Sequence, residues 1–137
     1  MTVLKIYSDG GSRGNPGKAA CAFVVYSGNK LLHEESSYLG VTTNNQAEYY
    51  GVLNALNWLS KEDTKLSYVN FYLDSELVVK QLNGQYKVKS KELKSLYDKC
   101  KRLIKEFAYS IVFTHVPRVE NKKADNLLNE CLDNQAS

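Results

Sequence analysis

Two apolar runs in this chain stop just short of an aspartate, and that repetition constrains the fold more than any other feature. Val3-Leu4-Lys5-Ile6-Tyr7 reads as a strand followed, after Ser8, by Asp9; Val69-Asn70-Phe71-Tyr72-Leu73 reads as a strand followed directly by Asp74. Lying parallel and side by side, such strands would carry both carboxylates to one carboxyl edge, where open α/β sheets bind their ligands. Asp9 also opens the run Asp9-Gly10-Gly11-Ser12-Arg13-Gly14-Asn15-Pro16-Gly17. Its glycines predict a sharp turn and a backbone able to approach a ligand closely. Taken singly, each acid has a plain structural reading: Asp9 as a turn former before glycine, Asp74 as a charge at the start of a helix over 75–82.

Two further acids make those plain readings harder to sustain. Glu48 lies in Thr43-Asn44-Asn45-Gln46-Ala47-Glu48, where polar capping residues open a helix over 44–60. Glu48, Gly51, Val52, Ala55 and Leu59 share one stripe of that helix, so the carboxylate is expected on the face turned to the core. A lone acid there is costly. Asp125 falls in the first turns of a last helix over 121–133, beside the apolar set Ala124, Leu127, Leu128, Cys131 and Leu132. Four carboxylates gathered at one edge repel unless a cation joins them, and hard oxygen ligands favour Mg²⁺ or Mn²⁺ over zinc.

Between these landmarks the pattern gives strands over 3–8, 20–26, 31–39, 67–73 and 110–116, and helices over 44–60, 75–82, 90–107 and 121–133. Three strands joined tightly, then strands separated by helices, imply an α/β domain built on a mixed sheet covered by helices. At 137 residues, the chain is expected to form a single domain, 1–137. No apolar run is long enough to cross a membrane and no signal peptide is read at the start, so a cytoplasmic location is expected. Cys21, Cys100 and Cys131 lack metal-site spacing and are expected as free thiols, with one bridge left open.

The four acid-bearing motifs, Tyr7 to Gly17, Thr43 to Glu48, Leu73-Asp74-Ser75 and Asn121-Lys122-Lys123-Ala124-Asp125, occur in an order and approximate spacing that resembles the ribonuclease HI (type 1 ribonuclease H) family across essentially the whole chain. The resemblance implies a five-stranded mixed sheet in the order 3-2-1-4-5, only the second strand antiparallel to the others, with helices on both faces. It implies that Asp9, Glu48, Asp74 and Asp125 hold divalent metal and carry the chemistry. The activity implied is hydrolysis of the RNA strand of an RNA/DNA hybrid, leaving 3′-hydroxyl and 5′-phosphate ends. Two Mg²⁺ ions roughly 4 Å apart would act there, one activating water and the other stabilising the departing 3′-oxygen. The 2′-hydroxyl would serve recognition.

Substrate contacts follow from charge and from the same resemblance. Residues 80–105 carry nine basic side chains against two acidic ones, whereas the whole chain has a net charge of only +3. Most of these lysines fit the wet face of the helix bearing Leu93, Leu96, Cys100 and Ile104; Lys87, Lys89 and Lys91, between two helices, are better candidates for phosphate contact. Many bacterial relatives insert an extra basic helix at this point, for which this chain has no room. Asn15, Asn44, Asn45 and Gln46 flank Asp9 and Glu48 and suit contact with a hybrid's two backbones. Thr43 matches a threonine that helps hold a DNA phosphate, a role compatible with capping.

One departure concerns the loop before the last acid, where many members carry a histidine. Counting back ten residues from Asp125 without gaps reaches His115, but placing His115-Val116-Pro117 at the end of the last strand shortens the loop and makes Arg118 the nearest polar substitute. The shorter loop is preferred here, with Arg118 assigned to the catalytic set; His33, in mid-strand, has no special claim. A monomer without an obligate protein partner is expected. Rival readings are a related nuclease that also cuts double-stranded RNA, a non-catalytic hybrid-binding protein and a structural domain. The last two have no need of four costly acids.

Overall fold

A computed structural model describes residues 2–62 and 65–135. Five strands, β1 (Thr2–Gly14), β2 (Gly17–Ser27), β3 (Lys30–Thr42), β4 (Leu66–Leu73) and β5 (Ser110–His115), form one sheet in the order β3-β2-β1-β4-β5. β2 runs antiparallel to β1 and β3, whereas β4 is parallel to β1 and to β5. The strand order and directions are those implied by the resemblance. Helices α1 (Asn44–Ser60), α2 (Glu76–Leu82), α3 (Lys91–Glu106) and α4 (Lys122–Gln135) complete the domain.

Alternation along the strands divides the interior into two layers. Leu4 and Ile6 of β1, Phe23 and Val25 of β2 and Val69, Phe71 and Leu73 of β4 pack against α1, α2 and α3 through Val52, Leu56, Val78 and Leu96. On the opposite face Ala20 and Ala22 admit Leu128 and Leu132 of α4. Small residues on β2 let that helix lie close to the sheet. Helices thus cover both faces. All three cysteines are free, and no described helix is long and apolar enough to cross a membrane.

The structure corrects one expectation at the first strand. Gly10 and Gly11 do not form a turn: β1 continues in register with β2 as far as the pair Gly14↔Gly17, and the reversal comes at Asn15-Pro16. Gly10 is glycine because α1 lies directly on it. A Cβ there would fall 2.1 Å from the carbonyl carbon of Ala47, and a Cβ on Gly51 would fall 2.9 Å from the carbonyl oxygen of Asp9. Two missing side chains on facing elements therefore bring α1 down onto the middle of β1. The predicted last helix is present as α4, and a 3-10 turn over Arg118–Asn121, not expected from the sequence, leads into it.

Candidate metal centre and nucleic-acid interface

The sheet itself opens the site. β1 and β4 pair as far as Tyr7↔Tyr72 and then part, so Asp9 lies just past the last rung on one side and Asp74 follows the end of the strand on the other. The parting leaves a notch at the carboxyl edge. Glu48 enters it from α1, whose first turn is fixed by a reciprocal cap: Gln46 N donates to Thr43 Oγ1 at 3.2 Å, and Thr43 N donates to Gln46 Oε1 at 3.4 Å. The expected stripe of Glu48, Gly51, Val52, Ala55 and Leu59 is buried throughout. Ser75 caps α2 by accepting from Val78 N at 3.3 Å, fixing the chain direction immediately after Asp74.

Oxygens of Asp9, Glu48 and Asp74 all lie within 4.8 Å of one another. Asp125 lines the same cleft from the first turn of α4, outside that triplet, and its Oδ1 lies 3.6 Å from the Arg118 guanidinium. The Gly10 N–H serves both buried acids, donating to Asp9 Oδ1 at 2.9 Å and to Glu48 Oε1 at 3.2 Å. One donor cannot neutralise two carboxylates. Asp9 is 4% exposed and Glu48 7%, and the buried Glu48 Oε2 has no hydrogen-bond partner. Burial, with the Asp74 charge adding to it, pushes Asp9 up to about 7. Burial followed by repulsion from Asp9 drives Glu48 well above the ordinary carboxylate range. Asp74 is also raised, chiefly by burial, although Asn121 and Arg118 act to lower it.

Asp9 would remain partly protonated at neutral pH unless a cation replaced the proton, and the neighbouring acids are pushed in the same direction. An all-oxygen donor set with an orphaned buried carboxylate oxygen fits a hard divalent ion such as Mg²⁺ or Mn²⁺. Asp9, Glu48 and Asp74 would hold such an ion, with Asp125 placed to join them.

The polar residues predicted to touch substrate fall into three groups. Asn44 and Asn45 line the cleft. Asn44 Oδ1 accepts from Ser12 N at 2.7 Å, and Asn15 Oδ1 accepts from Asn44 N at 3.0 Å, so the β1–β2 turn is tied to the start of α1. Thr43 and Gln46 are engaged in the cap, where Thr42 Oγ1 also donates to Gln46 Oε1 at 2.6 Å. Lys87 and Lys89 lie exposed in the irregular segment 83–90, and Lys91 is the exposed first residue of α3. Among the described residues none of these three ammoniums forms an ion pair. Arg118 opens the 3-10 turn at the rim of the cleft, with its side chain 79% exposed. His115 is the last residue of β5, opposite Leu73, and His33 stacks on Trp58 with centroids 5.1 Å apart.

Sequence reasoning missed two asparagines. Asn121, read as the start of a helix and of the motif ending at Asp125, is 1% exposed and donates Nδ2 to Ser8 O at 2.8 Å. It joins the last helix to β1 behind the acid cluster, and no periodicity marks it. Asn129 donates to Asp125 O at 2.9 Å and to Asp125 Oδ1 at 3.3 Å. Its position four residues after the acid on one helix was the available signal.

The fold and site together define an α/β domain with a divalent-cation site at the carboxyl edge of its sheet. Residues 7–131 match the family described as Reverse transcriptase-like. The chain is 40% identical over 129 residues to the ribonuclease HI of Halobacterium salinarum, covering 93% of this chain and 63% of that protein. It is 39% identical over 130 residues to a bifunctional protein of Mycobacterium tuberculosis, covering 93% of this chain and 35% of that one. It thus spans about a third of the mycobacterial relative's length and just under two thirds of the archaeal one's. Among solved structures, that of LC11-RNase H1 in complex with an RNA/DNA hybrid superposes with a TM-score of 0.93 and 41% identity, covering 98% of this chain and 99% of that chain. The chain belongs to the type 1 ribonuclease H family.

Proposed function

We propose that this chain is a divalent-metal-dependent endoribonuclease that hydrolyses the RNA strand of RNA/DNA hybrids, leaving 3′-hydroxyl and 5′-phosphate ends. The observation carrying this reading is the convergence of Asp9, Glu48 and Asp74 within 4.8 Å, with Asp125 in the same cleft of a ribonuclease H fold. In this reading residues 1–137 act as one catalytic domain, monomeric and cytoplasmic, with Mg²⁺ as the working ion and Mn²⁺ as a substitute. Two such ions, when bound, supply an activated water and neutralise charge on the departing oxygen.

The chain's own residues do the rest. Asp9 and Glu48, held by α1 against β1, set the position of the cation site. Asp74 and Asp125 approach from the far side of the notch. Arg118, exposed beside Asp125, meets a phosphate or the leaving product. Asn44 and Asn45 touch the hybrid at the mouth of the cleft, with Asn15 and Gln46 bracing that edge and Thr43 at the helix start toward a DNA phosphate. Lys87, Lys89 and Lys91 follow the backbone farther out.

The test is incubation of the protein with labelled RNA/DNA hybrid, double-stranded RNA and double-stranded DNA, each with Mg²⁺, Mn²⁺ or excess chelator. Cleavage of the hybrid's RNA strand that requires a divalent ion supports the reading. Full activity in chelator overturns it, and equal cutting of double-stranded RNA moves it to the broader nuclease class.

A further inference from the structure

A second site lies on the face of the sheet that α4 leaves uncovered. α4 packs on β1, β2 and β3, whereas Tyr68 of β4 and Val112 of β5 are 40% and 45% exposed. At the border of this open part three half-buried tyrosines from adjacent strands meet. Tyr7 and Tyr72, register partners on β1 and β4, stack with centroids 4.9 Å apart at 22°; Tyr26 of β2 meets the Tyr7 ring edge-on at 5.9 Å and 88°. Beside them lies a cavity of about 340 Å³, lined by Lys5, Tyr7, Tyr26, Asn29, Glu120 and Lys123. Cross-strand aromatic pairs also stabilise sheets. Pairing alone does not account for a cavity edged by two ammoniums, an amide and a carboxylate.

We infer that this tyrosine-lined face binds single-stranded nucleic acid, separately from the cleft that carries the acids. Ring faces and edges suit stacking by a nucleobase, Lys5 suits a phosphate, with Lys123, 3.5 Å from Glu34 Oε2, placed on the other side, and Asn29 and Glu120 can meet the polar edge of a base. A duplex is a poor occupant, because its bases are already stacked on one another and offer no free face. The two sites adjoin across the 3-10 turn. Asn121 lines the tyrosine cavity while its Nδ2 donates to Ser8 O, next to Asp9, so a strand leaving a hybrid in the cleft has a short path to this face.

The test is anisotropy of dye-labelled single-stranded RNA and DNA 12-mers that cannot self-pair, in chelator, with the parent protein, Tyr26→Leu, Tyr26→Phe and Lys5→Gln. Tyr26→Leu is expected to weaken binding at least about fivefold while Tyr26→Phe retains it, and Lys5→Gln to reduce the salt slope by about 0.7. Binding of either strand with these responses supports the inference, and the tighter arm names the preferred strand. Cleavage of a blunt-ended hybrid by each variant, measured in parallel, is expected to match the parent, so that the two readings fail separately. Absence of single-strand binding by the parent overturns the inference, as does binding that Tyr26→Leu leaves unchanged. Equal losses in Tyr26→Leu and Tyr26→Phe would also overturn it, because they would assign the effect to the hydroxyl rather than the ring.

Discussion

The acid notch and the basic segment at 83–91 are both concentrations of like charge, and they are held in opposite ways. Asp9 and Glu48 are buried, fixed by backbone contacts at Gly10 and Gly51 that leave no room for adjustment. Lys87, Lys89 and Lys91 are exposed, on a segment tied to the body through its backbone, where buried Gln81 Nε2 donates to Lys87 O at 3.4 Å. In the first region each charge has an individual position and its repulsion is undiluted by water. In the second, solvent screens the repulsion and only the summed charge matters. Single changes should therefore be severe in the notch and mild among the lysines.

The sharpest way to break that comparison is Asp74→Asn, a nearly isosteric change that removes one charge from the notch. Turnover on hybrid at saturating Mg²⁺ is expected to fall by about a hundredfold or more, equivalent to roughly 2.8 kcal/mol of transition-state stabilisation, with fold and hybrid binding kept. Steady-state kinetics beside a thermal melt checks it. A variant that keeps most of its turnover would show that the notch acids are no more individual than surface lysines.

Stability against pH examines the same burial without any substrate. Asp9 has an ordinary value near 3.8 but is raised to about 7 in the folded protein, so the folded state holds a proton that the unfolded chain releases. For an acid raised in this way, stability is fully present below about pH 4 and is lost as pH climbs through 7. Thermal melts of the metal-free protein should accordingly show this contribution fading between about pH 4 and 7, by on the order of 1–3 kcal/mol. Saturating Mg²⁺ replaces the proton, so its stabilising increment should be larger at pH 8 than at pH 5. An increment independent of pH would mean that the cation binds elsewhere.

How much of this was legible in the sequence depended on whether a residue's partner was near in the chain. The helix at 44–60 was readable from the Thr43–Gln46 cap and the small and apolar stripe because both are local. Asp9 and Asp74 were readable as edge residues because each follows an apolar run. The true length of β1 was hidden: Gly10 and Gly11 look like a turn, and only the helix lying on Gly10, distant in sequence, explains why they are extended. Asn121 was hidden for the same reason, since its partner Ser8 lies on β1, far away in the chain. The strand order came from family resemblance, because periodicity does not say which strands are neighbours.

Between the notch and the lysines stands Arg118, which belongs to the acid site by position but resembles the lysines in exposure. Arg118→Ala is expected to lower turnover at saturating hybrid and Mg²⁺ by about tenfold to a hundredfold, roughly 1.4–2.8 kcal/mol. His115→Ala, at the end of β5, should cost less. Parallel kcat measurements on the two folded variants decide the order, and the reverse ranking would make His115 the catalytic side chain and restore the ungapped alignment.

The smallest effect expected is in the basic segment. Replacing Lys87, Lys89 and Lys91 together by Gln removes three charges that no acid neutralises among the described residues, and none of the three ammoniums helps hold the fold. Each ammonium that no longer meets a phosphate should reduce the slope of log K against log salt by about 0.9, so the triple variant should fall by close to three times that, with binding weakened by about tenfold near physiological salt. Turnover at saturation should stay within about twofold, because the acids and their cation are untouched. Binding isotherms at several salt concentrations supply the slope. If both affinity and slope match the parent, these lysines are only a solvated face, and the contrast with the notch becomes one between a site and a surface.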